Sequence, residues 1–402
     1  MRIDVQRYTE RFGSVRLNDV QRVLELDSGR VSANDSGIDI AMINISDDVS
    51  RDIEEKMAIA IMVKDEKLKL FEGVVSGVPH DCLIIVVSNS KRKRVDRFRM
   101  ERDALFQFSR FTRRKAMIIH QKDPVLAQAL GDAGYGSLLD EDGLLRSGKC
   151  EGMIAAMLLA KLAKKDYIGF VDADNYFPGA IWEYAKVYAA GFSIATSPYA
   201  MVRILWRYKP KVSEGMYFRK YGRVSEISNK YMNNVISTAT GFETDIIKTS
   251  NAGEHAMSLR LAEILPYAAG YAVEPQELLS IFEGFGGVMP IAQPTAAKHG
   301  VEILQIETRN PHLHEEKGSR HIYQEMLLPS LSAIYHSPLC FDTTRESIAK
   351  EMVGMGVIKE GEEPPRPRLY EAPHSIDFRK FREAMAEHPE YYSAQAPGPE
   401  RD

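Results

Sequence analysis

Hydrophobic and polar positions divide this chain into short apolar runs, each closed by a polar turn and followed by an amphipathic stretch. Met57 to Val63 is uninterrupted apolar sequence and then gives way to Lys64-Asp65-Glu66-Lys67. Cys82 to Val87 ends in Ser88-Asn89-Ser90, and Ala116 to Ile119 ends in His120-Gln121-Lys122-Asp123-Pro124. The last run of the series, Tyr167 to Val171, ends in Asp172-Ala173-Asp174-Asn175. Apolar runs of this length bounded by turns predict strands buried on both faces, and the segments Glu151 to Lys164 and Ile181 to Ala190 predict helices. Strands and helices alternating in this way predict an α/β fold, with a mainly parallel, Rossmann-like sheet and helices on both faces. Each polar cluster falls at the C-terminal end of a strand, the edge where open α/β sheets bind ligands.

The flanks read differently. Residues 1–55 are polar and broken by Gly and Asp, which predicts a leader of short strands and turns. Residues 56–195 hold the strand–helix series, and 196–345 form a second half in which the polar, Gly-bearing stretch Thr249 to Ala256 precedes a helical run to Leu265. From 346 a C-terminal extension begins. Its proline-rich stretch Glu363-Pro364-Pro365-Arg366-Pro367 reads as a linker, and the tail to Ala396-Pro397-Gly398-Pro399 is expected to be partly disordered.

Composition changes little. Of 402 residues, 44% are hydrophobic and 27% charged, and the formal charge of −4 gives no global attraction to nucleic acid or an anionic membrane. The three cysteines, Cys82, Cys150 and Cys340, are too far apart in sequence to suggest a disulfide framework or zinc site, and a reducing cytoplasm fits them. No apolar run is long enough to span a bilayer. One basic patch, from Lys91-Arg92-Lys93-Arg94 to Arg113-Arg114-Lys115, interleaves Phe98, Phe106, Phe108 and Phe111. It reads as an amphipathic helix with its aromatics on the core, in preference to a nucleic-acid surface.

The candidate chemistry centres on Asp172 and Asp174. Alternate residues of an extended segment project to one side, so the two carboxylates can address one hard divalent cation and the diphosphate or ribose it accompanies. Gly143 to Lys149 matches the spacing of a phosphate loop but continues with Cys150 where Ser or Thr is needed, and no buried strand precedes it. A looser reading is that Ser147, Gly148 and Lys149 open a helix and offer amides and an ammonium to a diphosphate. Cations among aromatics around Arg219 and Arg223 suit a partly enclosed acidic substrate, and the loop around Asn251 reads as a second substrate segment. His312 and His314, in an irregular stretch, each qualify to give an imidazole to the metal.

Several of these stretches in register resemble the mannosyl-3-phosphoglycerate synthase family. They are Val86-Val87-Ser88-Asn89-Ser90, His120 to Pro124, Arg146-Ser147-Gly148-Lys149 with Glu151-Gly152-Met153, Gly169 to Tyr176, Gly222 to Ile227, Asn251 to Met257 and Ile306 to Glu315. The likeness runs from about residue 57 to 345. Two departures stand out: Ile61-Met62-Val63-Lys64-Asp65-Glu66 where Pro-Met-Lys-Asn-Glu is expected, and Cys150 where Gly is usual. The resemblance implies a GT-A glycosyltransferase fold and transfer of mannose from GDP-mannose to the 2-hydroxyl of 3-phosphoglycerate with retention, the first step toward the compatible solute mannosylglycerate. It implies a divalent cation, magnesium first and manganese or cobalt as alternatives, on Asp174 and one of His312 and His314. Asp172 would hold ribose or donor sugar. Ser88, Asn89, Gln121, Lys122, Lys149, Glu151 and Ala173 would line the nucleotide-sugar site, and Arg146, Arg219, Arg223, Asn251, Ala252 and Gly253 the acceptor site. A homodimer is compatible with it.

Two other classes share parts of this pattern. A nucleotidyltransferase of the same fold would release pyrophosphate in place of GDP, and a non-catalytic nucleotide-sugar-binding protein would bind without turnover. Phosphatases that form an aspartyl-phosphate also begin with Asp-x-Asp, but they expect Thr or Val where Tyr176 stands.

Overall fold

The structure, a computed structural model, describes residues 1–26, 37–38, 42–175, 177–206, 209–213, 215–219, 223–313 and 320–389. The first segment gives β1 (Arg2–Asp4), β2 (Thr9–Phe12), β3 (Val15–Glu25), β4 (Gly37–Ile38), β5 (Met42–Asn44) and α1 (Asp47–Glu54). The alternating series follows as β6 (Met57–Val63), α2 (Leu68–Gly77), β7 (Leu83–Ser88), α3 (Arg97–Thr112), β8 (Ala116–His120), α4 (Pro124–Asp132), α5 (Lys149–Leu162), β9 (Tyr167–Asp172) and α6 (Pro178–Ile194). Next come β10 (Ala200–Trp206), the hairpin β11 (Lys209–Ser213) and β12 (Gly215–Arg219), α7 (Arg223–Thr240), β13 (His255–Ser258), α8 (Leu259–Ala262) and β14 (Tyr267–Ala268). The rest comprises α9 (Val273–Phe285), α10 (Pro294–His299), β15 (Val301–Thr308), α11 (Leu328–His336), α12 (Asp342–Gly354), β16 (Leu369–Tyr370) and α13 (Phe378–Ala386).

Among the described residues, one large sheet runs in the order β4-β5-β1-β3-β15-β10-β13-β9-β6-β7-β8, with β2 on β3. The pairs β8–β7, β7–β6 and β6–β9 are parallel, as are β10–β15 and β15–β3; β13 lies antiparallel between β10 and β9. The pleat sorts the apolar side chains. Ala58, Ala60, Ile85 and Val87 face one core with the α5 side chains, whereas Ile59, Ile61, Ile84 and Val86 face the other with Tyr184 and Tyr188 of α6. The sheet is therefore covered on both sides, as parallel strands require. Side-chain caps start the helices where the sequence changes period: Asp96 accepts from Arg99 N, and Asp123, followed by Pro124, accepts from Val125 N. At Gly169 a Cβ would lie 2.6 Å from Tyr188 Cδ2, so the missing side chain lets that ring lie across β9.

Register brings the strand ends together. Met62 pairs with Asp172, Val63 with Ser88, and Ser88 with His120, so four C-terminal ends share one edge.

Two expectations are corrected. Residues 255–258 are a strand, so the helix expected from just after Ala256 to Leu265 begins only at Leu259, as α8, and ends at Ala262. All four are buried, and a short, fully buried run carries no periodicity to distinguish the two. On α3, Phe98 is buried but Phe111 is 92% exposed, because thirteen residues of helix bring it to the opposite face. The leader strands pair into the main sheet through β3, and β16 pairs with β14 while α13 packs on α4. Among the described residues no helix is long and apolar enough to cross a membrane.

Candidate active site

Strand β9 delivers Asp172 to the edge of the sheet, and helix α5 starts beside it. Lys149 Nζ lies 2.9 and 3.1 Å from the two oxygens of Asp172 and 2.9 Å from Glu274 Oε1, on the first turn of α9. The lysine and glutamate side chains are 7% and 2% exposed, the aspartate 34%. Burial works against the ammonium, but the carboxylates of Asp172, Glu274 and Glu254 outweigh it and hold Lys149 well above the ordinary lysine range. One ammonium is thus shared between the carboxylates of Asp172 and Glu274.

The loop 249–253 packs against this pair. Asn251 Nδ2 donates to Glu274 Oε2 at 3.4 Å and to Ser330 Oγ at 2.9 Å, while its Oδ1 is buried without a hydrogen-bond partner. A Cβ on Gly253 would come within 3.0 Å of Asp172 Oδ2 and 3.1 Å of Lys149 Nζ, so the backbone itself touches the cluster. A buried ionic lock sets the loop's shape. Arg203 of β10 donates to Thr249 O at 2.9 Å, Ser250 O at 3.2 Å, Glu274 O at 3.1 Å and Glu277 Oε2 at 3.2 Å. His255 Nε2 lies 3.1 Å from Glu277 Oε1, and its Nδ1 lies 2.9 Å from Ala252 O. Fully bonded on all sides, these charges meet the condition for burial.

His312 approaches from the end of β15. Its Nδ1 lies 3.2 Å from Tyr184 Oη and 3.7 Å from Glu254 Oε1, and its ring stacks on Trp206 at 4.5 Å between centroids. An imidazole held through one nitrogen by a hydrogen-bonding group is the usual support of a metal-ligating histidine, and here the Tyr184 hydroxyl takes that place. Among the described residues, no three His, Cys, Asp or Glu side chains are gathered as a metal site. A hard divalent cation takes oxygen donors readily and can complete its shell with diphosphate and water around few protein ligands. His314 lies outside the described residues.

The other expected residues are distributed along the same edge. Ser88 is fully buried and donates to Glu101 Oε2 at 2.6 Å, while Asn89 N donates to Val63 O at 2.8 Å. Gln121 Nε2 donates to Arg146 O at 2.6 Å and Gly148 O at 3.0 Å, which ties the turn before α5 to β8. Lys122 pairs with Asp140. Glu151 Oε1 accepts from Tyr370 Oη at 2.7 Å; its Oε2 and Arg146 Nε are buried without hydrogen-bond partners. Ala173 is buried. Arg219 ends β12 and Arg223 opens α7; their side chains are outside the described set. Asp172, Lys149 and Asn251 to Gly253 thus meet at one point, while Ser88 and Lys122 are engaged elsewhere along the edge.

Glu274, Tyr184 and Tyr370 were not anticipated as site residues, and Glu254 and Trp206 only as members of longer stretches. One signal was present: Glu274 and Glu277 stand three apart in an otherwise mostly apolar helix, the spacing that puts two buried acids on one face.

The chain matches the mannosyl-3-phosphoglycerate synthase family over residues 5–385. It is 45% identical over 383 residues to the mannosyl-3-phosphoglycerate synthase of Pyrococcus furiosus, covering 95% of this chain and 96% of the relative. Identity to the mannosyl-3-phosphoglycerate synthase of Aeropyrum pernix is 36% over 385 residues, covering 95% and 97%. Among solved structures it is similar to glucosyl-3-phosphoglycerate synthase from Mycobacterium tuberculosis, in complex with Mn2+, uridine diphosphate and phosphoglyceric acid. That likeness has 16% identity and a TM-score of 0.45, over 71% of this chain and 81% of the other.

Proposed function

The chain belongs to the mannosyl-3-phosphoglycerate synthase family, and from that premise we propose that it is a GT-A glycosyltransferase of the cytoplasm. It transfers mannose from GDP-mannose to the 2-hydroxyl of 3-phosphoglycerate, with retention of configuration. The observation that carries this reading is the Asp172–Lys149 pair at the end of β9, set against the Asn251–Gly253 backbone. Asp174 and His312 are the residues that would hold a divalent cation, magnesium or manganese, which neutralises charge on the departing diphosphate. Lys149 adds a fixed positive charge beside it. Asn251 is assigned to the acceptor, a reading supported by its Oδ1, which is buried without a hydrogen-bond partner. Arg146, Arg219 and Arg223 are assigned to its carboxylate and phosphate. Asp172 is engaged by Lys149, which disfavours it as a nucleophile. Retention then calls for front-face attack: the 2-hydroxyl oxygen bonds to the anomeric carbon, the bond to the diphosphate oxygen breaks, and that oxygen takes the hydroxyl proton.

The test is GDP release from GDP-mannose, with and without 3-phosphoglycerate, in magnesium, manganese or EDTA, with Asp174→Ala as control. Release that needs acceptor and metal and disappears in the variant is expected. Pyrophosphate in place of GDP, acceptor-independent release, or a trapped mannosyl-enzyme adduct would overturn the corresponding part of the reading.

A further inference from the structure

Helix α6 carries two consecutive polar side chains, Glu183 and Tyr184, both fully buried and neither given a role in the transfer as described. Glu183 spends both oxygens on one turn of a distant segment. Oε1 accepts from Arg309 N at 2.6 Å, and Oε2 accepts from Asn310 N at 2.8 Å and Asn310 Nδ2 at 2.7 Å. His312 follows two residues later. Tyr184 Oη reaches His312 Nδ1 at 3.2 Å and accepts from Asn175 Nδ2 at 3.4 Å. Asn175 is the residue after the second aspartate of Asp-x-Asp, and its Oδ1 accepts from Phe177 N at 2.9 Å. One turn of one helix therefore grips both segments that supply the proposed cation ligands. A buried carboxylate is tolerated only when its lone pairs are used, and here three N–H donors from two adjacent residues use them.

We infer that Glu183 and Tyr184 are positioning residues for the cation site, fixing His312 relative to the Asp172–Asn175 turn. The inference rests on the proposal that His312 binds the cation. Neither residue touches substrate; both act through the histidine loop. Supporting groups of this kind are worth about 10- to 100-fold in metal affinity.

The experiment is an electron paramagnetic resonance titration of Mn2+ in the presence of GDP, with thermal melts in parallel and GDP affinity measured in EDTA. Glu183→Gln turns an N–H toward at least one N–H donor, so Mn2+ affinity should fall about 10- to 100-fold while metal-free GDP affinity holds. Tyr184→Phe should give a smaller loss of the same kind. His312→Ala separates the two levels of argument. If it leaves Mn2+ affinity unchanged, the metal assignment fails and this inference with it. If it weakens Mn2+ but a folded Glu183→Gln protein binds Mn2+ as wild type does, the metal assignment stands and the positioning role is overturned. Should Glu183→Gln not fold, Tyr184→Phe decides: wild-type Mn2+ affinity overturns the inference.

Discussion

Strands β7 and β9 end on the same edge of the same sheet in polar residues, yet they are built in opposite ways. At β7, Ser88 and Ser90 both donate at 2.6 Å to the buried carboxylate of Glu101, and Ser90 Oγ accepts from Asp65 N at 2.8 Å. The cluster closes on itself and joins the ends of β6 and β7 to α3. At β9, Asp172 remains a third exposed and shares its lysine with Glu274. A closed polar cluster fixes geometry; a partly exposed one leaves an oxygen within reach of a ligand. The difference is testable because the two should respond differently to removal of their central residue.

The largest effect is expected at β9. Lys149→Met removes the ammonium that Asp172 and Glu274 share and breaks both pairs, a loss of about 3–5 kcal/mol in a buried setting. Part of it will appear in catalysis: kcat for GDP release should fall about 10²–10³-fold, the scale for losing one preorganised charge at a developing anion. Steady-state kinetics below the melting temperature check this. Activity near wild type would remove Lys149 from the site. The counterpart at β7 is Glu101→Ala, which strands two buried hydroxyls. Stability should drop about 2–3 kcal/mol in urea unfolding, while kcat and KM of the folded protein stay within a few-fold. Lost activity without lost stability would show that the β7 cluster is not merely structural.

How much of this contrast was readable in advance depends on where the partners lie. The strands β6 to β9 were legible because each is a continuous apolar run cut off by a polar turn, and Asp172, Lys149 and Asn251 to Gly253 because their residue types announce chemistry at strand and helix ends. Position at a strand end, however, is the same signal for Ser88 as for Asp172. What separates them is Glu101 from α3 in one case and Glu274 from α9 in the other, and the distance of 102 residues between Asp172 and Glu274 leaves no local trace. Strand β13 was missed for a related reason: four buried residues slotted antiparallel between β10 and β9 follow tertiary pairing, which short-range pattern does not encode.

Proton linkage sharpens the comparison at intermediate size. Burial raises the Glu101 carboxyl above its ordinary value despite the two serine hydroxyls, so the folded state binds its proton more tightly than the unfolded state. Its contribution is full below the unfolded value near 4.5 and is lost as pH rises through the higher folded value. Lys149 is raised above 10.5, so its contribution is full below 10.5 and is lost as pH rises from there through the higher folded value. Urea titrations should show wild type losing stability relative to Glu101→Gln just above pH 4.5, with no Lys149-dependent change until pH passes 10.5. A Lys149-dependent transition at neutral pH would mean that the two carboxylates do not hold the ammonium as the geometry requires.

The smallest effect is the most specific. Gly253 does not adopt a left-handed backbone, so alanine is sterically admissible there except for what its methyl would meet: Asp172 Oδ2 at 3.0 Å, Lys149 Nζ at 3.1 Å and Glu274 Oε1 at 3.4 Å. All three are tips of side chains that can retreat by a few tenths of an ångström, so folding should cost under about 1 kcal/mol. The retreat is not neutral for the site, because it moves the ammonium and the carboxylate together against the space the substrates would share. Gly253→Ala should therefore melt close to wild type while kcat/KM for 3-phosphoglycerate falls about 3- to 10-fold, the scale of a sub-ångström misplacement short of the hundredfold expected for a full one. The same methyl-sized change at Gly169, where Tyr188 lies against β9 at 2.6 Å from the added atom, should do the reverse and lower the melting temperature first. If Gly253→Ala instead behaves like Gly169→Ala, losing stability before activity, then loop 249–253 belongs with the closed cluster at β7 and the open site is smaller than Asp172, Lys149 and the loop together.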